Sequence, residues 1–326
     1  MSGKHDFPVI YPIIVPTSSS LATFNFYLVK NQGTLMLIDA GVDSQKCWDY
    51  FNDVLQKNNF KLKDIDKIIL THSHQDHTGL VNRILDLHDV RVYAHPDAIV
   101  RLQRNEAYLM KRIAFFQSFY AEMGCGERGE KQVELLKRRA TENKSQSIQV
   151  KITPLKEGDS LDGFQVIETP GHWPDHIALY HPKTGICLAG DHLVEHISSN
   201  ALIEPDGEGR RLYTLQQYEN ALKKCQLYAL TTVYPGHGEI VDDPAVLIEE
   251  RLHGIERKSK KIKDVIARIQ PCTAARVAKE YYKKTYDIEF SLVMSEIVGH
   301  LDRLEGLGEV EKREKDGIWE YGVSGD

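Results

Sequence analysis

The 326 residues include only five cysteines, at 47, 125, 187, 225 and 272, and none of them form a CxxC pair. An odd, scattered set gives neither a disulfide framework nor a cysteine zinc site. It fits reduced thiols buried as small apolar side chains, and the expected location is cytoplasmic. No apolar run approaches the roughly 20 residues that a membrane-spanning helix needs. The first stretch, "MSGKHDFPVIYPIIVPTSSS", is broken by Pro8, Pro12 and Pro16, and is expected to be neither a secretory signal nor a membrane span. A surplus of positive charge is also missing. The formal net charge is -6, which gives no general attraction to nucleic acid or to an anionic membrane. There is no fixed-period repeat and no low-complexity tract. With 41% hydrophobic and 27% charged residues the chain is an ordinary globular protein. Its length suggests one large domain and a small one.

What is present is punctuated regularly. "LATFNFYLVK" and "TLMLIDA" flank "NQG", alternating apolar runs around a short turn that predict a β-hairpin. Residues 44–58 set Cys47, Trp48, Phe51 and Leu55 on one helical face. Residues 66–70 predict a strand, "GLVNRILDLH" a helix and "VRVYAH" another strand. From about 98 to 145 the pattern changes. Tyr108, Leu109, Ile113, Phe116, Phe119, Tyr120 and Met123 recur at helical spacing, with ten Lys/Arg against six Glu. This predicts a helical insertion whose aromatic stripe serves either as core, sealing these helices onto the stranded part of the fold, or as an apolar lid over a substrate. Strands resume with "FQVIETPGH" and "IALYHPKTGICLAGDH", where Lys183-Thr184-Gly185 closes a hairpin. A helix is expected over 214–229, with Tyr218, Leu222, Cys225 and Ala229 inward, then a strand at "LTTVYPGHG". One long helix over 244–270 should end at Pro271. Two further helices and a hairpin around Lys315-Asp316-Gly317 complete a winged-helix-like pattern. The expected division is 1–243 and 244–326.

The chemistry concentrates in "IILTHSHQDHTG", residues 68–79. His72 and His74 share a face as the strand ends, and Asp76 and His77 follow from the turn into the next helix. Nitrogen and oxygen donors so close together suit a metal ion. "TPGH" adds His172, "AGDH" adds Asp191 and "YPGHG" adds His237, each just beyond an apolar strand in a glycine-containing loop. Loops at one sheet edge can bring such residues together. Five histidines and two aspartates exceed one tetrahedral zinc and suit two metals sharing a carboxylate.

In these motifs and their order the sequence resembles the metallo-β-lactamase superfamily over about residues 20–240. Asp39, in "LIDAG", matches the early structural aspartate of that family. The resemblance implies an α+β fold, the αββα sandwich of two facing sheets with helices outside. It implies that His72, His74 and His172 hold one metal, that Asp76, His77 and His237 hold the other, and that Asp191 bridges them. Zinc is the expected metal, with manganese or iron compatible with the same ligands. Two such ions about 3.5–4 Å apart lower the pKa of a bridging water toward roughly 7, and the hydroxide attacks a carbonyl or phosphoryl centre. Asp76 would orient that water and shuttle a proton, as the catalytic residue. The set looks most like glyoxalase II, lactonases and related thioesterases, and Asp76 and the aspartate bridge argue against β-lactams.

The expected substrate is therefore a small thioester, lactone or similar ester, with a hydrophobic acyl group accommodated by the insertion. Two alternatives in the same fold are an endoribonuclease or phosphodiesterase and a mononuclear iron dioxygenase, which uses two His and one Asp. Some relatives with a similar tail cleave RNA, yet residues 251–326 hold 15 Lys/Arg against 14 Asp/Glu, which is no phosphate track. The tail is expected to serve packing or subunit contact, and a second copy of the chain is a candidate partner. The remaining polar residues divide by neighbourhood. His192 and His196 line the cleft or pack its loop. His176 is expected to support the ligands from behind, and His95 to be structural. Tyr234 is expected in the core. Cys125 has no histidine near it in sequence and is expected to be a loop thiol.

Overall fold

Residues 7–325 are described by a computed structural model; the first six residues of the proline-broken N-terminal stretch lie outside them. Strand β1 (Val9–Pro16) pairs antiparallel with β2 (Thr23–Asn31), which turns at Gln32-Gly33 into β3 (Thr34–Ile38). Helix α1 (Gln45–Lys57) leads to β4 (Lys67–Ile69), the short α2 (Gln75–Thr78) and α3 (Val81–Leu85), then β5 (Arg91–Ala94). Helices α4 (Pro96–Leu102), α5 (Glu106–Glu122) and α6 (Gly126–Glu142) intervene before β6 (Ile152–Pro154). A second group follows: β7 (Ser160–Leu161), β8 (Phe164–Glu168), β9 (Ile177–His181), β10 (Ile186–Gly190), α7 (Thr214–Cys225) and β11 (Thr232–Pro235). The rest is α8 (Pro244–Ile269), β12 (Cys272–Thr273), α9 (Ala274–Tyr282), α10 (Lys284–Ile288), α11 (Phe290–Gly306) and the hairpin β13 (Val310–Lys315) and β14 (Ile318–Val323).

The strands form a six-stranded sheet in order β1-β2-β3-β4-β5-β6 and a five-stranded sheet in order β11-β10-β9-β8-β7. Period-two alternation sorts their side chains into layers. Tyr27, Val29, Met36, Ile38 and Ile69 of the first sheet meet Phe164, Val166, Ile177, Leu179 and Leu188 of the second in one buried layer. The alternate residues Phe26, Leu28, Leu35, Leu37 and Ile68 turn outward onto Cys47, Phe51 and Leu55 of α1. Behind the second sheet, Ala178, Cys187 and Ala189 pack under Tyr218 and Leu222 of α7 and Leu247 and Ile248 of α8. The result is the expected αββα sandwich.

Three details differ from expectation. Pro12 and Pro16 lie within a strand, because β1 is at the sheet edge, where a missing N–H costs no ladder bond. The helix from Thr214 stops at Cys225, which leaves Ala229 exposed rather than inward. The insertion's aromatic stripe does not seal onto the sandwich sheets. Ile113, Phe116, Phe119, Tyr120 and Met123 share one buried cluster with Ile262 and Ile266 of α8, Val277 of α9, Phe290 and Met294 of α11, and Tyr321 of β14. The tail's three strands run in order β12-β14-β13 beside these helices.

Candidate metal centre

Each ligand loop leaves the carboxyl end of a strand. His72 follows β4, His172 follows β8, Asp191 follows β10 and His237 follows β11. Strands β10 and β11 are parallel, and β8 runs the same way because β9 is antiparallel to both β8 and β10. The loops therefore open along one edge of the second sheet. Two main-chain bonds join that edge to the first sheet, Ile177 N–H to Thr71 O at 2.8 Å and Asn25 N–H to Gly236 O at 2.8 Å.

All seven residues singled out in the sequence meet there, in two groups: His72, His74, His172 and Asp191, and Asp76, His77 and His237. Within each group the donor atoms lie within 4.8 Å of one another. Asp191 touches both groups. Its Oδ2 is 3.4 Å from His172 Nε2 and 3.3 Å from His237 Nε2, and its Oδ1 is 3.2 Å from His77 Nε2. Asp76 Oδ2 is 3.4 Å from His237 Nε2, and His74 Nδ1 is 3.2 Å from His172 Nε2.

The outward ring nitrogens are held by the scaffold, which fixes the tautomer and aims the other nitrogen inward. His77 Nδ1–H donates to Asp39 Oδ2 at 2.8 Å, His172 Nδ1–H to Asn200 O at 3.0 Å and His237 Nδ1–H to Thr23 O at 2.7 Å. Asp39 also accepts the Thr71 N–H and hydroxyl, both at 2.8 Å. That leaves the Thr71 oxygen to accept from His72 Nδ1, 3.1 Å away. Among the described residues the inward atoms have no such partners: His72 Nε2, His77 Nε2, His237 Nε2 and Asp191 Oδ1 are buried without a hydrogen bond. Buried polar atoms are normally paired, so a convergence of unpaired donors fits a cation.

The protonation pattern follows from burial and charge. Burial, then repulsion from His77 and His74, holds His72 well below its ordinary pKa. Burial, then His172, pushes His74 down to about 3, and burial also lowers His172. These three rings are neutral donors at neutral pH. Burial opposes charge at His77 and His237 too, but carboxylates outweigh it. Asp191 and Asp39 raise His77 well above its ordinary value, while Asp191 and Asp76 raise His237 to about 9. Asp191, though buried, is held well below the usual carboxylate range by His77 and His237. A cation would take the place of the protons that these carboxylates draw onto His77 and His237.

The neighbouring histidines separate cleanly. His176 donates from Nδ1 to Thr169 Oγ1 at 2.7 Å and accepts the Asp191 N–H on Nε2 at 3.0 Å, so it holds the Asp191 backbone. Gly190 permits this approach, since a Cβ there would meet Thr71 Oγ1 at 2.6 Å and His176 Nε2 at 2.7 Å. His192 is buried, with its ring 5.4 Å from that of Tyr218, whereas His196 is exposed and reaches Ser20 O at 3.2 Å. His95 caps α4 by accepting the Asp97 N–H. Tyr234 is half-buried, edge-on to Tyr27. Cys125 starts α6, where burial pushes its thiol up to about 12, far from a nucleophile's range.

Sequence reasoning missed two supports. Asn25 Nδ2 donates to Pro235 O at 3.2 Å and Gly238 O at 2.8 Å, which pins the His237 loop to β2. A lone polar residue inside "TFNFYLV" was the available signal. Asp175, fully buried, accepts the Ser73 N–H and hydroxyl between His72 and His74, and faces Arg101 at 3.4 Å. Nothing local in "GHWPDH" marks that role.

A sandwich with histidine and aspartate donors at the strand ends defines a class of metal-dependent hydrolase. The chain belongs to the metallo-beta-lactamase superfamily, whose family model matches residues 25–237. It is 32% identical over 297 residues to the probable metallo-hydrolase YqjP of Bacillus subtilis (strain 168), covering 91% of this chain and 92% of that protein. It is 26% identical over 251 residues to a hydroxyacylglutathione hydrolase of Hydrogenovibrio crunogenus, covering 75% and 69%. Among solved structures, a metallo-beta-lactamase family protein from Thermus thermophilus superposes with a TM-score of 0.77 at 23% identity, covering 96% of this chain and 98% of that one. The protein is thus a superfamily metallo-hydrolase with a His/Asp metal-ligand cluster, and among the described residues no helix is long and apolar enough to cross a membrane.

Proposed function

We propose that the chain is a dinuclear-metal hydrolase of small esters, of the thioester or lactone class. One observation carries this reading: a single carboxylate, Asp191, lies between two sets of inward-facing donors. His72, His74 and His172 would hold one divalent ion, and Asp76, His77 and His237 the other, with Asp191 shared. The donor set is nitrogen and oxygen only, which suits zinc and also manganese or iron. A mononuclear site of two histidines and one aspartate would leave the remaining inward nitrogens unpaired. When bound, such ions acidify a water and polarise a carbonyl oxygen.

The chain's own residues set the geometry. Asp39, Asn200 O and Thr23 O fix the rings, and His176 fixes the Asp191 backbone. Asp76, at the first turn of α2, has one oxygen beside His237; in this reading it would orient the attacking water and carry its proton. The relative named hydroxyacylglutathione hydrolase supports an acyl-thiol substrate over a phosphodiester, as does the balanced charge of the tail. The tail is read as a winged-helix-like packing unit. The five cysteines, all free and buried, suit the cytoplasm.

Elemental analysis with a hydrolysis screen over thioesters, lactones, phosphodiesters and RNA tests the reading. Two metals per chain and turnover of a thioester or lactone are expected, and Asp191→Ala should lose metal and nearly all activity. Saturation at one metal per chain, or wild-type rates in Asp191→Ala, would overturn it.

A further inference from the structure

We infer that a cavity beside the metal centre receives a phosphate-class anion carried by the substrate; this deepens the ester-hydrolase reading and rests on it. The cavity has a volume of about 380 Å³. Ser73, Gln75 and Thr78 of the ligand loop form one wall, with Arg83, Arg101 and Arg104 around it. Ser73 and Gln75 alternate with His72, His74 and Asp76, so the cavity shares its wall with the centre. Arg101 reaches the ligands through one side chain. Its guanidinium lies 5.9 Å from the Trp173 ring, whose centroid is 4.3 Å from that of His74.

Three guanidiniums face one lining carboxylate, Asp43. Arg101 is largely committed, to Asp175 at 3.4 Å, to Asp97 O at 2.7 Å and to Pro205 O at 3.5 Å. The other two have no carboxylate partner among the described residues. Arg83 reaches only Gln45 Oε1, at 3.2 Å, and stacks 4.1 Å from the Trp48 ring. Arg104 reaches only Arg139 O, at 3.4 Å, and its buried Nε has no partner; nor does the Nε of Arg101, whose side chain is only 8% exposed. Burial and the nearby Arg112 lower the Arg104 pKa, as expected for a cation lacking a counter-charge. Planar guanidiniums with free N–H groups match phosphate oxygens. A phosphate monoester carries about −1.5 to −2 charge, which matches the two guanidiniums, Arg83 and Arg104, that no carboxylate pairs among the described residues.

The occupant is a small molecule. The volume fits a single group with its linker, and a polynucleotide would need the basic surface to continue. The anion would lie several bonds from the reacting carbonyl, so its contacts contribute to binding and orientation rather than to bond cleavage.

The test compares two substrates of the metal-loaded full chain, the acetyl thioesters of pantetheine and of 4′-phosphopantetheine. The phosphorylated thioester should be favoured about ten- to hundredfold in kcat/KM, mainly through KM. In R83Q/R104Q that ratio should collapse toward one, with metal content and melting temperature reporting the fold. Equal use of both thioesters by the wild type, or a preference that survives in R83Q/R104Q, would overturn the subsite and leave the hydrolase reading intact. If neither thioester is cleaved, the metal-loaded protein is melted with the uncleaved acetyl thioester of 4′-phosphopantetheine. A rise in melting temperature seen in the wild type and lost in R83Q/R104Q keeps the subsite while the ester reading fails. No rise overturns the subsite. RNA cleavage lost in R83Q/R104Q would overturn the small-molecule assignment.

Discussion

At the scale of single residues, chemistry that depends on residue type was legible and chemistry that depends on a distant partner was not. His72, His74, Asp76 and His77 stand together in the chain, so their clustering can be read from spacing. Asn25 and Asp175 gain their roles from partners 210 and 102 positions away, which no local pattern reveals. Asp39 lies between these cases: its motif was visible, its bonds were not. It sits at φ 58°, a conformation that Asn tolerates, and its Oδ2 accepts the His77 Nδ1–H. Asp39→Asn should therefore fold normally yet weaken metal binding by about 10–100-fold in chelator competition; unchanged affinity would show that this bond does not orient the ring. His300 on α11 makes a pH prediction. Burial first, with Lys258 and Arg303 opposing a further positive charge, lowers its pKa from 6.5 to about 4, while Ser259 Oγ lies 2.8 Å from Nδ1. Below pH 6.5 the unfolded chain binds a proton that the folded chain refuses, so stability is full above 6.5 and falls as pH drops toward 4. The loss is roughly 3 kcal/mol. Denaturant melts of His300→Gln should show a flatter acid limb, and parallel limbs would remove His300 as the cause.

At the scale of elements, alternation and periodicity identified strands and helices wherever one face is buried. Strand β2 read correctly because Phe26 and Leu28 go one way and Tyr27 and Val29 the other. Strand β1 escaped because Pro12 and Pro16 look like breakers until the sheet edge is known. The stripe on α5 showed that something covers it, but periodicity does not name the cover. That cover is the tail, and it decides between scaffold and lid. Phe116 is 5% exposed and lies edge-on to Phe119, with a centroid separation of 6.1 Å. Phe116→Ala should cost about 3–5 kcal/mol. Its activity losses should be equal for short and long acyl chains. A stable variant that discriminates by chain length would restore the lid.

At the scale of the whole molecule, a short series of contacts ties the tail to the candidate metal centre. The carbonyl of Asn200 holds the His172 ring, and the Asn200 side chain donates to Leu292 O of α11 at 3.3 Å. Nearby on the same helix, Ser295 Oγ accepts the Ile203 N–H at 3.1 Å, and Leu202 N–H returns to His172 O at 3.3 Å. Arg211 pairs with Asp302 and Arg303 with Glu219, so α11 is also tied to α7 and the loop before it. The shared cluster adds burial: the Tyr120 and Phe290 rings are 5.1 Å apart, and Tyr321 OH approaches Met123 Sδ at 3.7 Å. Removing residues 271–326 would expose the α5 stripe and release the His172 loop together. An apolar face of that kind, newly exposed, promotes aggregation. The shortened chain is expected to be insoluble or loosely packed, with little bound metal, and the full chain to unfold in one transition whose midpoint rises with added zinc. Ser295→Ala isolates the local link, since it removes one hydroxyl and no apolar contact. It should lower metal affinity with a melting temperature close to that of the parent. A monomeric 1–270 chain with full metal content and activity would show that the sandwich stands alone and that the contacts through Asn200 are incidental.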